Sequence, residues 1–388
     1  MKVTQVYEIL NTITSEMLGD SIIVAEDLSN VVDVGRAFEN LENGYDNYVR
    51  RLHDHIGKMV FVDRVYRGRA PSVIMDGWEF GSILEKVRAN LPEASENESW
   101  KLENGASYDP NIFYQPSVSV KFFNKRITFE VPVSITEKQV KEAFSSAVQL
   151  NAFYSMIQVA IENTMTVKLD GLVMRTINAA IGETMYDYNS AGTYTGSGNT
   201  RAVNLLYLYN QTVTTDITAA DALTDPDFIR FASFVMKNYI GRLRDMSTLF
   251  NIGGTPKFTP RDRLHVVLLE EFKNAAGVYL YDNTGQFNTD EVKFPEEAET
   301  VNYWQGSGTG YAFSDTGKVQ ITTPSGHSVT VTGVLGVLFD RDTLGVANVD
   351  RRVTTNYNAK AEFWNEYHKY DAGYFLDLDE NFVVFYVA

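Results

Sequence analysis

Two pairs of neighbouring carboxylates have the clearest potential for chemistry in this sequence. Glu270 is followed directly by Glu271, and Asp342 stands two residues after Asp340. A glycosidase needs such a pair, with one carboxyl group as the acid and the other as the nucleophile or base. The chain contains 50 Asp and Glu residues, so pairs arise by chance, and the segment around Arg341 is better interpreted as a turn at a strand end. A carbohydrate-active enzyme is therefore a weak alternative.

Other candidate sites lack a necessary part. His53 and His55 offer two metal ligands, but no third His or close acidic partner completes a zinc-like set. Glycine-rich segments at 196–198 and 306–310 lack the Lys and Ser or Thr of a P-loop and the spacing of a dinucleotide-binding loop. The sequence contains no G-x-S-x-G motif and no cysteine, which excludes a nucleophile elbow and thiol chemistry. We predict no catalytic residue, no metal and no cofactor.

The composition is that of an acidic globular protein. Hydrophobic residues make up 44% of the 388 residues, which is enough for about two or three cores. The 34 Lys and Arg residues leave a formal net charge of −16, and such a surface does not attract DNA, because binding requires cations that displace counterions. The N-terminal segment mixes charges into its apolar residues and lacks a signal-peptide core. We expect a protein that acts inside a cell and does not enter a membrane.

The element that must position the other parts is a long helix predicted over 134–182. Ser134 and Glu137 have the spacing of a capping box, a serine pair at 145–146 offers a second start, and Gly182 is placed to end the helix. The first half is apolar on one side, whereas the second half is apolar in nearly every direction. Charged residues interrupt the apolar run well short of a membrane span. The pattern indicates a rod whose far end is buried by other elements.

An aromatic segment precedes this helix. Residues 91–115 contain Pro, Gly and polar residues typical of a loop, together with Trp100, Tyr108, Phe113 and Tyr114. A loop of this length in a compact domain tends to be functional. We predict an arm that lays its rings on a neighbouring subunit, with a locally packed loop as the alternative.

Alternating residues predict strands on both sides of the helix. Residues 117–133 alternate about Asn124-Lys125, which predicts a β-hairpin leading into the helix. Further along, Asp225 precedes a helix with Pro226 at its first position, running to about residue 249. Residues 264–269 form a buried strand followed by a short helix, and two strands flank a turn at 323–326. The C-terminal region is rich in strands, which are predicted at 329–339, 351–357, 361–370 and 382–387.

The order of these parts resembles the major capsid protein of tailed bacteriophages, in the fold named after phage Hong Kong 97. Short segments are similar to capsid proteins of phages of Gram-positive hosts. They are WEFG at 78–81, VPVS at 131–134, FDRD at 339–342, RRVTTNY at 351–357 and NFVVF at 381–385. The resemblance covers nearly the whole chain, although no single motif is diagnostic.

The resemblance implies an α+β Hong Kong 97-like capsid fold with a defined order of domains. These are an N-terminal arm (1–57), the first part of a peripheral domain (58–77), an extended loop (78–133), the spine helix of the peripheral domain (134–182), an axial domain (183–328) and the C-terminal strands of the peripheral domain (329–388). The chain begins almost directly with the arm, which implies a separate scaffolding protein.

The resemblance also implies a structural role. Copies of the chain would assemble as hexamers and pentamers into the icosahedral head shell of the virion, enclosing double-stranded DNA without specific binding. Assembly would take place in the host cytoplasm, with a scaffolding protein, a portal protein and decoration proteins as partners. The candidate subunit contacts are Trp100, Tyr108, Phe113, Tyr114, Arg351 and Arg352. An encapsulin-like nanocompartment shell that encloses an enzyme is the principal alternative.

Overall fold

A computed structural model describes residues 3–18, 24–26, 29–39, 69–75, 84–89, 91, 94, 103–105, 111–113, 115, 117–136, 138–140, 147–214, 216–279, 298–305 and 313–388. The helices within this part are α1 (Val3–Leu18), α2 (Val31–Glu39), α3 (Ala147–Tyr188), α4 (Leu205–Asn210), α5 (Pro226–Arg242), α6 (Glu270–Tyr279) and α7 (Phe313–Thr316). The strands are β1 (Ile74–Met75), β2 (Leu84–Ala89), β3 (Val118–Phe123), β4 (Arg126–Thr136), β5 (Ala202–Asn204), β6 (Leu264–Leu269), β7 (Glu299–Val301), β8 (Val319–Thr322), β9 (Ser328–Val331), β10 (Val334–Asp340), β11 (Leu344–Asn358), β12 (Phe363–Leu376) and β13 (Phe382–Tyr386).

The strands form two larger sheets and two separate two-stranded ribbons. One sheet has the order β1-β11-β12-β4, and the other has the order β5-β13-β10-β6-β7. The ribbons are β2 with β3 and β8 with β9. The chain passes from one larger sheet to the other in the turn at 377–380, which joins β12 to β13.

The long helix α3 connects two hydrophobic cores. Its 42 residues make it roughly 60 Å long at the usual rise per residue. Ile157, Ile161 and Met165 are buried in the smaller core together with side chains of α1, α2, β4 and β12. Residues 172–185 are buried on every side except at Arg175, within the larger core around the five-stranded sheet. The predicted change along the helix is confirmed, because its second half is enclosed by other elements.

The predicted start at Ser134 and the predicted end at Gly182 are wrong, whereas the second start offered at 145–146 agrees with α3, which begins at Ala147. Ser134 lies in β4, where its hydroxyl donates a 2.6 Å hydrogen bond to Asn365 Oδ1 on β12. The capping box is present two residues later, where Thr136 N donates to Gln139 Oε1 and Gln139 N donates to Thr136 Oγ1. Pairing with β12 extends the strand through Thr136 and delays the first helical turn to 138–140.

Gly182 does not cap the helix, which continues to Tyr188. A Cβ atom at this position would lie 2.9 Å from side-chain carbons of Ile321 and Thr323. The glycine therefore permits close packing between α3 and the β8–β9 ribbon. Sequence alone does not distinguish this use of a glycine from a C-terminal cap.

The predicted hairpin at 117–133 is also wrong in its pairing, although both strands exist. β3 pairs with β2, from Ala89 opposite Val118 to Leu84 opposite Phe123. β4 pairs instead with β12 over eleven residues. Alternation specifies that a segment is extended, but it does not specify the partner strand.

The C-terminal strands are distributed between the two larger sheets. The single strand predicted at 329–339 is divided into β9 and β10 at Gly333, which has φ +70° and packs against the carbonyl oxygen of Val387. β11 and β12 lie in one sheet with β1 and β4, whereas β10 and β13 lie in one sheet with β5, β6 and β7. A boundary between residues 328 and 329 would pass through that sheet. The division into peripheral and axial domains stays a prediction.

Several locally encoded elements are confirmed. Asp225 accepts a 2.7 Å hydrogen bond from Phe228 N at the start of α5, although the helix ends at Arg242 and not near residue 249. β6 leads directly into α6. In the turn between β8 and β9, Gly326 N donates to Thr323 O at 2.9 Å.

Candidate subunit-contact surface

The ribbon β2–β3 has two chemically different faces. Residues directly opposite each other in an antiparallel pair share a face, and successive residues alternate between faces. Val87 stands opposite Val120, and Glu85 stands opposite Phe122. Lys86 stands opposite Lys121, on the other face.

The outward face of the ribbon is apolar and exposed. We define the apolar face as Val87, Val118, Val120 and Phe122, whose exposed fractions range from 43% to 64%. Large apolar side chains that lie together on a surface mark interaction sites in soluble proteins. This ribbon therefore presents a surface suited to a protein partner.

The inward face carries cations that contact three carboxylates in the turn at 377–380. Lys86 Nζ lies 2.8 Å from Asp377 Oδ2, and Lys121 Nζ lies 2.9 Å from Asp377 Oδ1. Arg88 forms ion pairs with Asp377, Asp379 and Glu380. We call these six side chains the ionic junction.

The ionic junction is shielded from water around Asp377, although Lys121 at its edge is 39% exposed. The side chains of Lys86 and Arg88 are each 15% exposed, and that of Asp377 is fully buried. Burial disfavours the charged carboxylate, but ion pairs with Lys86, Lys121 and Arg88 outweigh it and lower the pKa of Asp377 to about 2. Burial likewise opposes charge on Lys121, whose pKa is nevertheless raised by its contacts with Asp379 and Asp377.

The ribbon thus has the reverse of the usual polarity. An isolated soluble protein normally covers the apolar face of such an element and leaves its charges in water. Here the charges are covered by the chain's own body and the apolar face is left open. This arrangement fits a ribbon whose apolar face is completed by another molecule.

Comparisons with known proteins identify the family. A sequence profile described as Phi29-like phage major capsid protein matches residues 10–386. The chain belongs to this family. It is a structural protein of the phage head shell, and the predicted resemblance and function are confirmed.

A solved phage capsid structure shares its fold at low sequence identity. The capsid structure of Staphylococcus phage Andhra aligns with a TM-score of 0.50 and 10% identity, covering 84% of this chain and 86% of that chain. The capsid structure of cyanophage P-SCSP1u aligns with a TM-score of 0.44 and 12% identity, covering 84% of this chain and 90% of that one. No curated protein matches the sequence. The capsid protein has the predicted Hong Kong 97-like α+β fold.

The candidate contacts predicted from the sequence of this capsid protein lie in different places. Phe113 is 83% exposed, whereas Trp100, Tyr108 and Tyr114 lie outside the described residues. The guanidinium of Arg351 lies 4.8 Å from the ring centroid of Tyr370 in the same chain.

Arg352 points to the other face of β11 and also has partners in its own chain. Its guanidinium lies 2.6 Å from Asp371 and 2.9 Å from Asp350. The contacts with Asp371 and Asp350 raise the pKa of Arg352. A contact of Arg351 or Arg352 with a neighbouring subunit stays a prediction.

Sequence reasoning missed the ionic junction and the outward orientation of the apolar face. The alternation of Val118, Val120 and Phe122 was a visible signal, and Leu84–Ala89 shows the same alternation. The missing information was which face meets the body. That depends on the acidic turn at 377–380, more than 250 residues away.

The carboxylate pairs of the capsid protein have structural partners. Asp340 ends β10 and accepts a 2.9 Å hydrogen bond from Asp342 N, and Thr343 N donates to Asp340 O in the same turn. Asp342 forms an ion pair with Arg263. Glu271, in the first turn of α6, accepts a hydrogen bond from Thr316. The interpretation of 340–342 as a turn at a strand end is confirmed.

The described residues contain neither a metal-binding cluster nor a membrane-spanning helix. Within this part of the chain, no group of three or more His, Asp or Glu side chains is arranged to hold a metal ion. No helix among the same residues combines the length and apolar character needed to cross a bilayer.

Proposed function

We propose that the ribbon β2–β3 is the arm by which each subunit contacts its neighbour in the head shell. The observation that carries this proposal is the exposed apolar face, held outward by the ionic junction. Because its four large side chains are already partly covered in the subunit, complete burial by a neighbour would contribute roughly 1 kcal/mol each, about half of the value for a fully exposed side chain. Subunits in a shell are held by several neighbours at once, so modest contacts suffice for a stable particle.

The aromatic segment 91–115 would extend the same contact. It lies in the chain between β2 and β3, and its described residues Leu91, Ile112 and Phe113 are all more than half exposed. Trp100, Tyr108 and Tyr114 are further candidates for this contact. Arg352, on β11, would face the acidic surface of a neighbour, and Arg351, on the other face of the strand, is a further candidate contact.

We also propose the wider role implied by the family. Hexamers and pentamers of the chain would close an icosahedral shell around double-stranded DNA, assembled in the host cytoplasm with scaffolding, portal and decoration proteins. The net charge of −16 would keep the wall from adsorbing the packaged genome.

The peripheral and axial domains would divide the chain as predicted, with the five-stranded sheet joining them. The protein would need no catalytic site or cofactor for this role.

Substitution of the apolar face tests the contact. The double variant V120S/F122S should remain folded as a subunit but fail to form closed particles, as seen by negative-stain microscopy and analytical ultracentrifugation. F234S/V278S is the matched control, because it removes the same two residue types from other sites, each 63% exposed. Normal particles from V120S/F122S, or equal loss in both variants, would contradict a specific role of the ribbon.

Particle contents separate a head shell from the alternative nanocompartment shell. Nuclease-protected DNA should be found in particles purified from an infected host. An enzyme cargo in place of DNA would favour the nanocompartment.

A further inference from the structure

One carboxylate holds both strands of the ribbon. Asp377 Oδ1 contacts Lys121 on β3, and Asp377 Oδ2 contacts Lys86 and Arg88 on β2. Because both oxygens are used and each faces a different strand, the contact restricts rotation of the ribbon about its long axis. A single ion pair would fix the ribbon at one point only and would leave it free to rotate about that point.

The turn that carries Asp377 is fixed by the body of the subunit. Asp377 N donates a 2.7 Å hydrogen bond to Thr343 O, and Leu378 O accepts from the backbone amides of Ile252 and Gly253. Thr255 Oγ1 donates to Asp379 O at 2.9 Å. These contacts come from the segments at 252–255 and 343, and none involves the ribbon. The carboxylates therefore have a fixed position to which the ribbon attaches.

The inward face of the ribbon also contacts the Phe375 ring on β12. The rings of Phe123 and Phe375 lie 5.4 Å apart, and Lys86 Nζ lies over the Phe375 ring at 5.7 Å. The same ammonium donates to Asp342 O at 2.7 Å, and Lys257 from the body lies 3.5 Å from Glu380. Four cations thus face the three carboxylates, so loss of one carboxylate increases the excess of positive charge beneath the ribbon.

We propose that Asp377 is a positioning residue for shell assembly, which fixes the rotation of the ribbon so that its apolar face points toward the next subunit. This inference rests on the proposed function of the ribbon as the subunit contact. Side chains of a strand alternate between faces, so a ribbon that turned over would place Val87, Val120 and Phe122 against its own body. The charge pattern favours the outward orientation, because turning over would leave the buried carboxylates unpaired.

The test measures the ribbon before assembly and the particles after it. D377N removes the charge with almost no change in shape. In unassembled full-length subunits, we expect amide hydrogen exchange in β2 and β3 to be at least tenfold faster, with exchange in β10 and β13 unchanged. The yield of closed particles should fall at least tenfold. D227N is the matched control, because it removes an equal charge from the exposed ion pair of Asp227 with Arg230 on α5, and it should match the wild type in both measurements.

A second variant keeps the test decisive if D377N weakens the body itself. K121Q alters only the ribbon side of the ionic junction and should accelerate exchange in β2 and β3 while leaving the turn at 377–380 intact. Wild-type exchange in the ribbon of both variants, or loose ribbons that still form particles at the wild-type yield, would overturn the proposal. Failure of the contact itself would appear differently, as normal assembly of V120S/F122S with wild-type ribbon exchange.

Discussion

The ribbons β2–β3 and β8–β9 are both two-stranded, but they have opposite polarity. In β8–β9, Val319, Val329 and Val331 are buried in the larger core, and the residues between them face outward. In β2–β3, the valines and Phe122 are exposed while Lys86 and Arg88 face inward.

The difference shows which molecule completes each ribbon. β8–β9 packs on α3 of its own chain, and Gly182 permits the close approach. It needs no partner, because its apolar residues are already covered. β2–β3 is attached through charge, and its apolar residues have no cover among the described residues of its own subunit. β8–β9 is therefore part of the subunit core, whereas the apolar face of β2–β3 is available for contact with another subunit of the shell.

The largest expected effect concerns the contact between α3 and β8–β9. G182V should lower the free energy of unfolding of the isolated subunit by roughly 3 kcal/mol, because even a Cβ atom there meets two side chains at 2.9 Å. Chemical denaturation of unassembled subunits measures this change. G171V is the control within the same helix, since a Cβ at Gly171 has nothing within 4 Å. Equal effects of the two variants would mean that the ribbon is not packed closely on the helix.

The next prediction compares matching residues of the two ribbons. V329A should destabilise the isolated subunit by about 2 kcal/mol through lost burial, whereas V120A should change its stability by less than about 0.5 kcal/mol. V120A should lower the yield of closed particles more than V329A does, when both variants are assayed under conditions where the subunits are folded. If V120A destabilised the subunit as much as V329A does, the exposure of the apolar face would be wrong.

Local sequence signals predicted those elements whose determinants lie within a few residues. Asp225 and Pro226 marked the start of α5, and the turn at 323–326 was identified from its proline and glycine. Caps and tight turns use hydrogen bonds between near neighbours, so the sequence nearby contains most of the information. The family resemblance gave the fold and the function correctly.

Features that depend on distant residues could not be obtained in this way. Ser134 carries a good capping signal, but pairing of β4 with β12 places it in a strand. Lys86 and Lys121 are indistinguishable in sequence from solvated surface lysines, and only the fold brings Asp377 to them. The polarity of the ribbon was therefore beyond sequence reasoning.

Acid should sharpen the comparison by acting on the ionic junction of β2–β3. The pKa of Asp377 is lowered from 3.8 to about 2 in the folded protein. Its contribution to stability is therefore complete above about pH 4 and is lost as the pH falls through about 2. The stability difference between wild type and D377N should shrink by about 1–2 kcal/mol between pH 5 and pH 2. Thermal melts of both proteins across this range measure it, and a constant difference would show that Asp377 is not held in the charged state.

The smallest expected effect on the stability of the subunit concerns Arg352. This cation faces outward, whereas the cations of β2–β3 face the body of the subunit. Its pair with Asp350 is exposed and its pair with Asp371 is partly exposed, and such surface ion pairs contribute little because solvent and salt screen them. R352A should leave the thermal midpoint of the subunit nearly unchanged.

If Arg352 faces the acidic surface of a neighbour, the same variant should make assembly slower at low salt and less sensitive to added salt, as followed by light scattering. R88Q provides the contrast, since it should loosen the ribbon in unassembled subunits. An R352A protein with the wild-type salt dependence would restrict this arginine to its partners within the chain and leave β2–β3 as the contact that drives assembly.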